Sequence, residues 1–351
     1  MRAVRLLEWK SDPQLVEVPE PTAGPGQVVV RIGGAGACHS DIHLMRDYDL
    51  GMLPWDPPFT LGHENAGWVH ELGAGVVGLE LDQPVAVYGP WGCGACERCR
   101  LGLENYCEDL SSAPVPRGGG GLGLDGGMAE LMLVPDARHL VPLPDGLSPV
   151  AASPYIDAGL TSYHAVRRAL PKLIPGSTAL VIGVGGLGHL AVQILKAVTA
   201  TRVIASDVRP EALRLAIDCG ADQVVAPGDD AVAEVREATG GRGADVVLDF
   251  VGLDSTMAFG AGAARILGDF SVVGIGGGSL AFSGKAVPFE LSIQHPYWGS
   301  RPELVEVLNL ASRRLVHAEY TAFPLDQALE VYRSVEEGRV IGRAVITPNL
   351  R

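Results

Sequence analysis

Residues 178 to 188 read TALVIGVGGLG: an apolar strand runs directly into Gly183-Val184-Gly185-Gly186-Leu187-Gly188. The next residues, HLAVQILKAV, have helical spacing. A GxGxxG on its own is a weak signal, but between a strand and a helix it has a mechanical meaning. The first glycine makes the tight turn, the second lets backbone approach a pyrophosphate, and the third packs helix on sheet. The helix N-terminus then offers unpaired N–H groups to phosphate. The pattern continues as TRVIASD, PEALRLAIDCG, DQVVAP, AVAEVREATG, ADVVLDFVG and FSVVGIGG. Strand alternating with helix predicts a doubly wound parallel sheet, an α/β domain that binds a dinucleotide. Asp207 ends the second strand, where a carboxylate accepts ribose hydroxyls and repels a 2′-phosphate. NAD is therefore expected over NADP, a preference that Arg209 can soften.

The first 150 residues carry no such alternation. Short apolar runs such as Val28–Ile32, Ala66–Val69 and Val85–Tyr88 stand between Gly and Pro, which predicts a β-rich domain. Within it lies GCGACERCRLGLENYC, with Cys93, Cys96, Cys99 and Cys107. Four thiolates at this spacing close a tetrahedron around zinc and leave no open position, so the site is expected to be structural. Disulfides are the alternative. Only six cysteines occur in 351 residues and no secretory leader is evident, which argues against them. The Gly-dense segment 117–127, RGGGGLGLDGG, is expected to be a surface loop.

A formal net charge of −14 disfavours a nucleic-acid partner. The most apolar window holds the glycine turn, His189 and Gln193, so it is not a membrane span. A cytoplasmic protein without a membrane partner is expected.

Two further clusters carry reactive side chains: Cys38-His39-Ser40-Asp41-Ile42-His43 and Gly62-His63-Glu64. Cys38 and His63 both suit zinc, yet spacing does not make them meet. A buried thiol and a core histidine are the plain alternatives. Here a resemblance adds information. The segments GxxxCHSD (34–41), GHE (62–64), the four-cysteine loop, GVGGLG (183–188) and FVG (250–252) follow one another as in the medium-chain zinc-dependent alcohol dehydrogenases. YGPWGCGAC (88–96), DAGLTSYHA (157–165) and PYWGSRPEL (296–304) resemble the bacterial secondary-alcohol branch of that family.

The resemblance implies a GroES-like catalytic domain over 1–157 and 296–351, with the Rossmann domain over 158–295. It implies two zinc ions per chain. The catalytic one would be held by Cys38, His63 and a third ligand, matched here by Asp157, whose other reading is a helix N-cap. Glu64 would steady a ligand or visit the metal, or else form a plain salt bridge. Ser40 would accept the alcohol proton, and His43 would pass it to solvent or stand as a surface histidine. Val251, Gly252, Val273 and Gly274 lie at strand ends where a dinucleotide binds. Arg343 would touch the pyrophosphate, or equally be a solvated charge. Trp55, Phe59 and Trp298 would form an apolar substrate pocket, or be packing.

The expected activity is reversible oxidation of secondary, and some primary, alcohols with NAD. A polyol or sugar dehydrogenase is the second reading, and a non-catalytic NAD-binding protein the third. Zinc-free quinone reductases of the same fold lack both zinc motifs. A homodimer or homotetramer is expected, with the apolar segment around 270–282 pairing sheet edges across a two-fold.

Overall fold

The computed structural model describes residues 1–349, in two compact units. The first comprises residues 1–160, 299–312 and 318 onward, and the second residues 161–298 and 313–317. Among the described residues no helix is long and apolar enough to cross a membrane.

The first unit is built around the strand Val28–Ala37, whose residues are buried except at Arg31. A strand buried on both faces must find neighbours on both edges. On one edge it pairs antiparallel with Glu64–Leu72. On the other, its first half pairs with Leu131–Val134 and its last residues with Arg343–Thr347. This register sets Gly36 opposite Glu64 and Ala37 opposite Ala344. It thereby brings three distant parts of the chain to the end of one strand. Glycine at 36 is required, because a Cβ there would lie 1.8 Å from Glu64 Oε2. The helix His39–Arg46 starts immediately beyond. Ile42, Leu44 and Met45 face the core with Val30, Ile32, Phe59, Leu61 and Tyr332.

The second unit is a six-stranded, wholly parallel sheet, as the alternation predicts. Its order is Gln223–Val225, Arg202–Ser206, Thr178–Ile182, Ala244–Asp249, Ala264–Val272 and Ser292–Gln294. The order reverses between Thr178–Ile182 and Ala244–Asp249, the topological switch point at which such sheets bind ligands. Leu180, Ile204, Val247 and Phe270 are fully buried in its core.

Two expectations are corrected. The segment around 270–282 is not a sheet edge: Ala264–Val272 is paired on both sides, and Ser292–Gln294 forms the edge. The Gly-dense segment is not a surface loop. Gly119, Gly120, Gly121, Gly126 and Gly127 are buried. Cβ atoms at 121 and 126 would lie 2.4 and 2.1 Å from the carbonyl oxygen of Gly62. The missing side chains let backbone approach backbone there, beside His63.

Candidate metal and dinucleotide sites

Cys38 closes the strand Val28–Ala37 in extended conformation and precedes the helix His39–Arg46. Three residues on, the buried Asp41 turns its carboxylate back, and Oδ2 accepts the Cys38 N–H at 3.1 Å. An acid in the first helical turn satisfies an orphan N–H and suits the helix dipole. Asp41 Oδ1 lies 3.0 Å from His63 Nδ1. The other nitrogen, His63 Nε2, lies 3.5 Å from Asp157 Oδ2, which is 3.7 Å from Cys38 Sγ. These three donor atoms all lie within 4.8 Å of one another. Zinc bonds of 2.0–2.3 Å in a tetrahedron imply ligand–ligand edges of roughly 3.3–3.8 Å, which the observed spacings fit. The electrostatics fit as well. Burial lowers the pKa of His63, but Asp41 and Asp157 outweigh it and hold the ring well above its ordinary value. That field favours a cation at Nε2.

Asp157 is held through the neighbouring residue. Glu64, fully buried, accepts the Ala158 N–H with Oε1 at 2.9 Å, and its Oε2 lies 2.5 Å from Arg343 Nη2. Burial raises the pKa of Glu64, with Arg343 opposing. Arg343 is itself buried, and its partner is this carboxylate. Glu64 thus forms an ion pair and also braces the backbone beside Asp157.

Ser40 Oγ stands 3.1 Å from His63 Nε2. A metal on that nitrogen frees the hydroxyl to meet a substrate oxygen. His43 is partly exposed, and its Nδ1 lies 2.5 Å from Asp47 Oδ2, itself more than half exposed. That placement suits a group that exchanges protons with solvent.

The four cysteines also converge. Cys93 and Cys99 sulfurs are 3.9 Å apart. The N–H groups of Cys93 and Cys96 point at the sulfurs of Cys107 and Cys93, at 3.3 and 3.2 Å. Backbone N–H groups at Glu108 and Cys99 pull Cys96 down to about 6. Burial pushes Cys99 and Cys107 up, so four thiolates together require a cation. The loop is braced by Glu104, which accepts the Gly92 N–H at 3.2 Å and pairs with His139 Nε2 at 3.1 Å. His139 stacks on Trp91 with ring centroids 5.4 Å apart.

In the second unit Gly183 has φ +85°, and a Cβ at Gly188 would lie 1.9 Å from the Gly183 carbonyl oxygen. At Gly185 a Cβ would meet only Arg209 Nη2, at 3.7 Å. The turn is thus open to a ligand at Gly185, and Gly186 and Leu187 beside it are half-buried. Asp207 Oδ2 accepts the Val184 N–H at 2.8 Å, while Oδ1 accepts the Arg209 N–H at 2.9 Å and its Nε at 3.3 Å. The carboxylate fastens the turn and keeps further lone pairs for a ribose hydroxyl. Asp249 does the same for the neighbouring strand ends. Its Oδ1 accepts the N–H groups of Val251 and Gly252, and its backbone carbonyl those of Val273 and Gly274.

The aromatic candidates are placed differently. Phe59 is 1% exposed and part of the core. Trp55 is half-buried and meets Phe59 edge-on at 5.4 Å and Trp9 at 6.0 Å. Trp298 is buried, at φ +54°, against Tyr297.

Sequence reasoning assigned no role to Asp41, Asp249, Glu104 or Tyr332. The first stood in a quoted motif, three residues after a candidate ligand. The second ended a strand in LDFVG. Glu104, in LGLENYC, and Tyr332, in LEVYRSV, carried no signal of their own in the sequence.

Residues 24–145 match the alcohol dehydrogenase GroES-like domain and residues 186–313 the zinc-binding dehydrogenase family. An NAD-dependent alcohol dehydrogenase of Sulfurisphaera tokodaii is 37% identical over 99% of this chain and 100% of its own length. A D-arabinose 1-dehydrogenase (NADP(+)) of Saccharolobus solfataricus is 34% identical, over 98% of this chain and 97% of its own. The crystal structure of the alcohol dehydrogenase from Aeropyrum pernix superimposes with a TM-score of 0.90 at 39% identity, covering 99% of this chain and 100% of that one.

Proposed function

We propose that this chain, which belongs to the medium-chain zinc-dependent alcohol dehydrogenase family, oxidises secondary alcohols to ketones and reduces the ketones in reverse. That it is an NAD-dependent alcohol dehydrogenase with two zinc ions follows from its family and its full-length relatives. The class of alcohol and the residue roles are our reading. The observation that carries it is the convergence of Cys38 Sγ, His63 Nε2 and Asp157 Oδ2, with Ser40 Oγ beside the same nitrogen.

Cys38, His63 and Asp157 hold the catalytic zinc, and Cys93, Cys96, Cys99 and Cys107 the structural one. The turn 183–188 takes the pyrophosphate of NAD, Asp207 its adenosine ribose, and Val251, Gly252, Val273 and Gly274 line the cofactor. When bound, zinc acts as a Lewis acid that acidifies the alcohol hydroxyl, and NAD accepts the hydride. Ser40 takes the hydroxyl proton as it passes its own onward. His43, steadied by Asp47, releases a proton to water. Asp41 keeps His63 in the tautomer that leaves Nε2 free to bind metal. Residues 1–157 and 296–351 serve metal and substrate, and 158–295 the cofactor.

The segments resembling the secondary-alcohol branch, and Trp55 as an apolar wall, favour a secondary alcohol. The D-arabinose dehydrogenase relative favours the second reading, a sugar or polyol substrate. Rates with 2-butanol and 1-phenylethanol against sorbitol and D-arabinose, each with NAD, separate the two. Faster sugar oxidation refutes the first. Ser40→Ala should cut turnover by at least 100-fold, as expected for a lost proton acceptor, roughly the scale of acid–base catalysis. A homo-oligomer in the cytoplasm completes the reading. The edge strand Ser292–Gln294, on which Ile293 is exposed, is the surface we assign to a second copy. Light scattering on the purified protein measures this directly.

A further inference from the structure

We propose that Tyr332, from the far C-terminal part of the chain, is a positioning residue for the catalytic metal, acting through Asp41. This rests on Cys38, His63 and Asp157 being the zinc ligands.

Tyr332 lies on the helix Ala328–Glu336, whose Ala328, Val331 and Tyr332 face the core. Its hydroxyl donates to Asp41 Oδ2 at 3.1 Å across 291 residues of sequence. Asp41 is 0% exposed, so every bond to its carboxylate is made in a dry environment. The same Oδ2 accepts the Cys38 N–H, and Oδ1 faces His63 Nδ1. One carboxylate thus fixes the backbone of one ligand and the ring of another, and Tyr332 fixes the carboxylate. At the other end of the same two helices, Arg46 makes a fork to Glu336, with Nε–Oε1 at 2.8 Å and Nη2–Oε2 at 3.1 Å. The helix bearing Cys38 and Asp41 at its start is therefore pinned at both ends.

The choice of a neutral donor follows from charge. A lysine or arginine at 332 would also bond Asp41, but its positive charge would compete with a divalent cation held on Cys38 and His63. A phenol supplies the hydrogen bond without the charge. Burial and the nearby Asp41 push the Tyr332 phenol well above its ordinary value, so it stays a donor.

The test is Tyr332→Phe, which removes one oxygen and keeps the ring. Zinc release to a graded chelator series is followed in the fully loaded protein, and the catalytic zinc is separately replaced by cobalt for its visible absorption. Removing a direct partner of a metal ligand typically costs 10- to 100-fold in affinity, and Tyr332 acts one bond further out, so a loss of about 3- to 10-fold is expected. The four-cysteine zinc should be retained as in the wild type, and the cobalt bands should shift or broaden. Val331→Ala loosens the same helix without touching Asp41, and should leave both readouts unchanged. In an Asp41→Asn background, Tyr332→Phe should add little. Wild-type zinc retention with an unchanged cobalt spectrum in Tyr332→Phe overturns the proposal. So does an equal loss in Val331→Ala, which would reduce the effect to helix stability. A wild-type protein that holds a single zinc overturns the ligand assignment, and this inference with it.

Discussion

The pair Glu64–Arg343 offers a sharp test of how the site is built. The two side chains are 0% and 6% exposed and meet at 2.5 Å. Arg343→Met keeps the apolar stem and deletes the charge. Glu64 then remains buried, beside Asp157, without its direct ion-pair partner. Breaking one partner of a buried ion pair typically costs about 3–5 kcal/mol, because the remaining charge cannot reach water. In a folding unit of about 200 residues each kcal/mol is worth roughly 2–4 °C, so Tm should fall by about 6–20 °C. The double variant Arg343→Met with Glu64→Gln removes both charges and should recover most of the loss, because Gln can still accept the Ala158 N–H. Urea and thermal unfolding of the zinc-loaded protein measure both. If Arg343→Met is as stable as the wild type, or the double variant is no better than the single one, the pair is not what holds Asp157 in place. The KM for NAD, measured on the double variant, reads separately whether the guanidinium also meets a phosphate.

Cys99→Ser should release one of two zinc ions and lower Tm by several degrees, as zinc binding there is folding free energy, while the second zinc stays; metal analysis after gel filtration decides it. Asp207→Gly should shrink the preference for NAD over NADP by at least tenfold and loosen the glycine turn, since Val184 loses its acceptor; kcat/KM with each cofactor is the readout. The Glu104–His139 brace predicts a pH dependence of stability. Burial lowers His139 below its ordinary 6.5. Burial would raise Glu104, but His139, Arg138 and the Gly92 N–H outweigh it and hold the acid below its ordinary 4.5. In both cases the unfolded chain binds protons more readily, so stability falls with acid, first below pH 6.5 and again below 4.5. In Glu104→Gln the urea midpoint should lose the second decline relative to the wild type; an unchanged profile would remove Glu104 from the explanation.

What could be read from the sequence was what is local. The glycine turn needs only its own neighbours, and Gly183 and Gly188 have the steric reasons that the motif implies. The four cysteines fall within 15 residues of one another and converge as their spacing suggests. The catalytic constellation is of another kind. Cys38 and His63 meet because of strand register, Gly36 against Glu64, and Asp157 joins them beside the Ala158–Glu64 hydrogen bond; periodicity does not fix register between strands so far apart. Resemblance supplied those residues and Glu64, but neither Asp41 nor the tyrosine that holds it. The Gly-dense segment misled for a related reason. Glycine runs are read as exposed turns, yet here their bareness lets two backbone stretches, at 121 and at 126–128, close over Gly62.

Charge accounts for why the two acids are answered differently. Cys38 and Asp157, as ligands, and Asp41 and Glu64, as their supports, bring four negative charges when ionised into a buried site. Arg343 pairs directly with Glu64, which supports the backbone beside Asp157, while Asp41 faces the ring of His63. A divalent cation then leaves the set close to balanced. A second basic side chain on Asp41 would cancel the field that draws the metal to His63 Nε2. With a tyrosine hydroxyl in that place, Asp41 is held firmly and no competing cation stands beside it. On this argument an Arg or Lys at 332 should weaken metal binding more than Phe does, even though it restores a hydrogen bond.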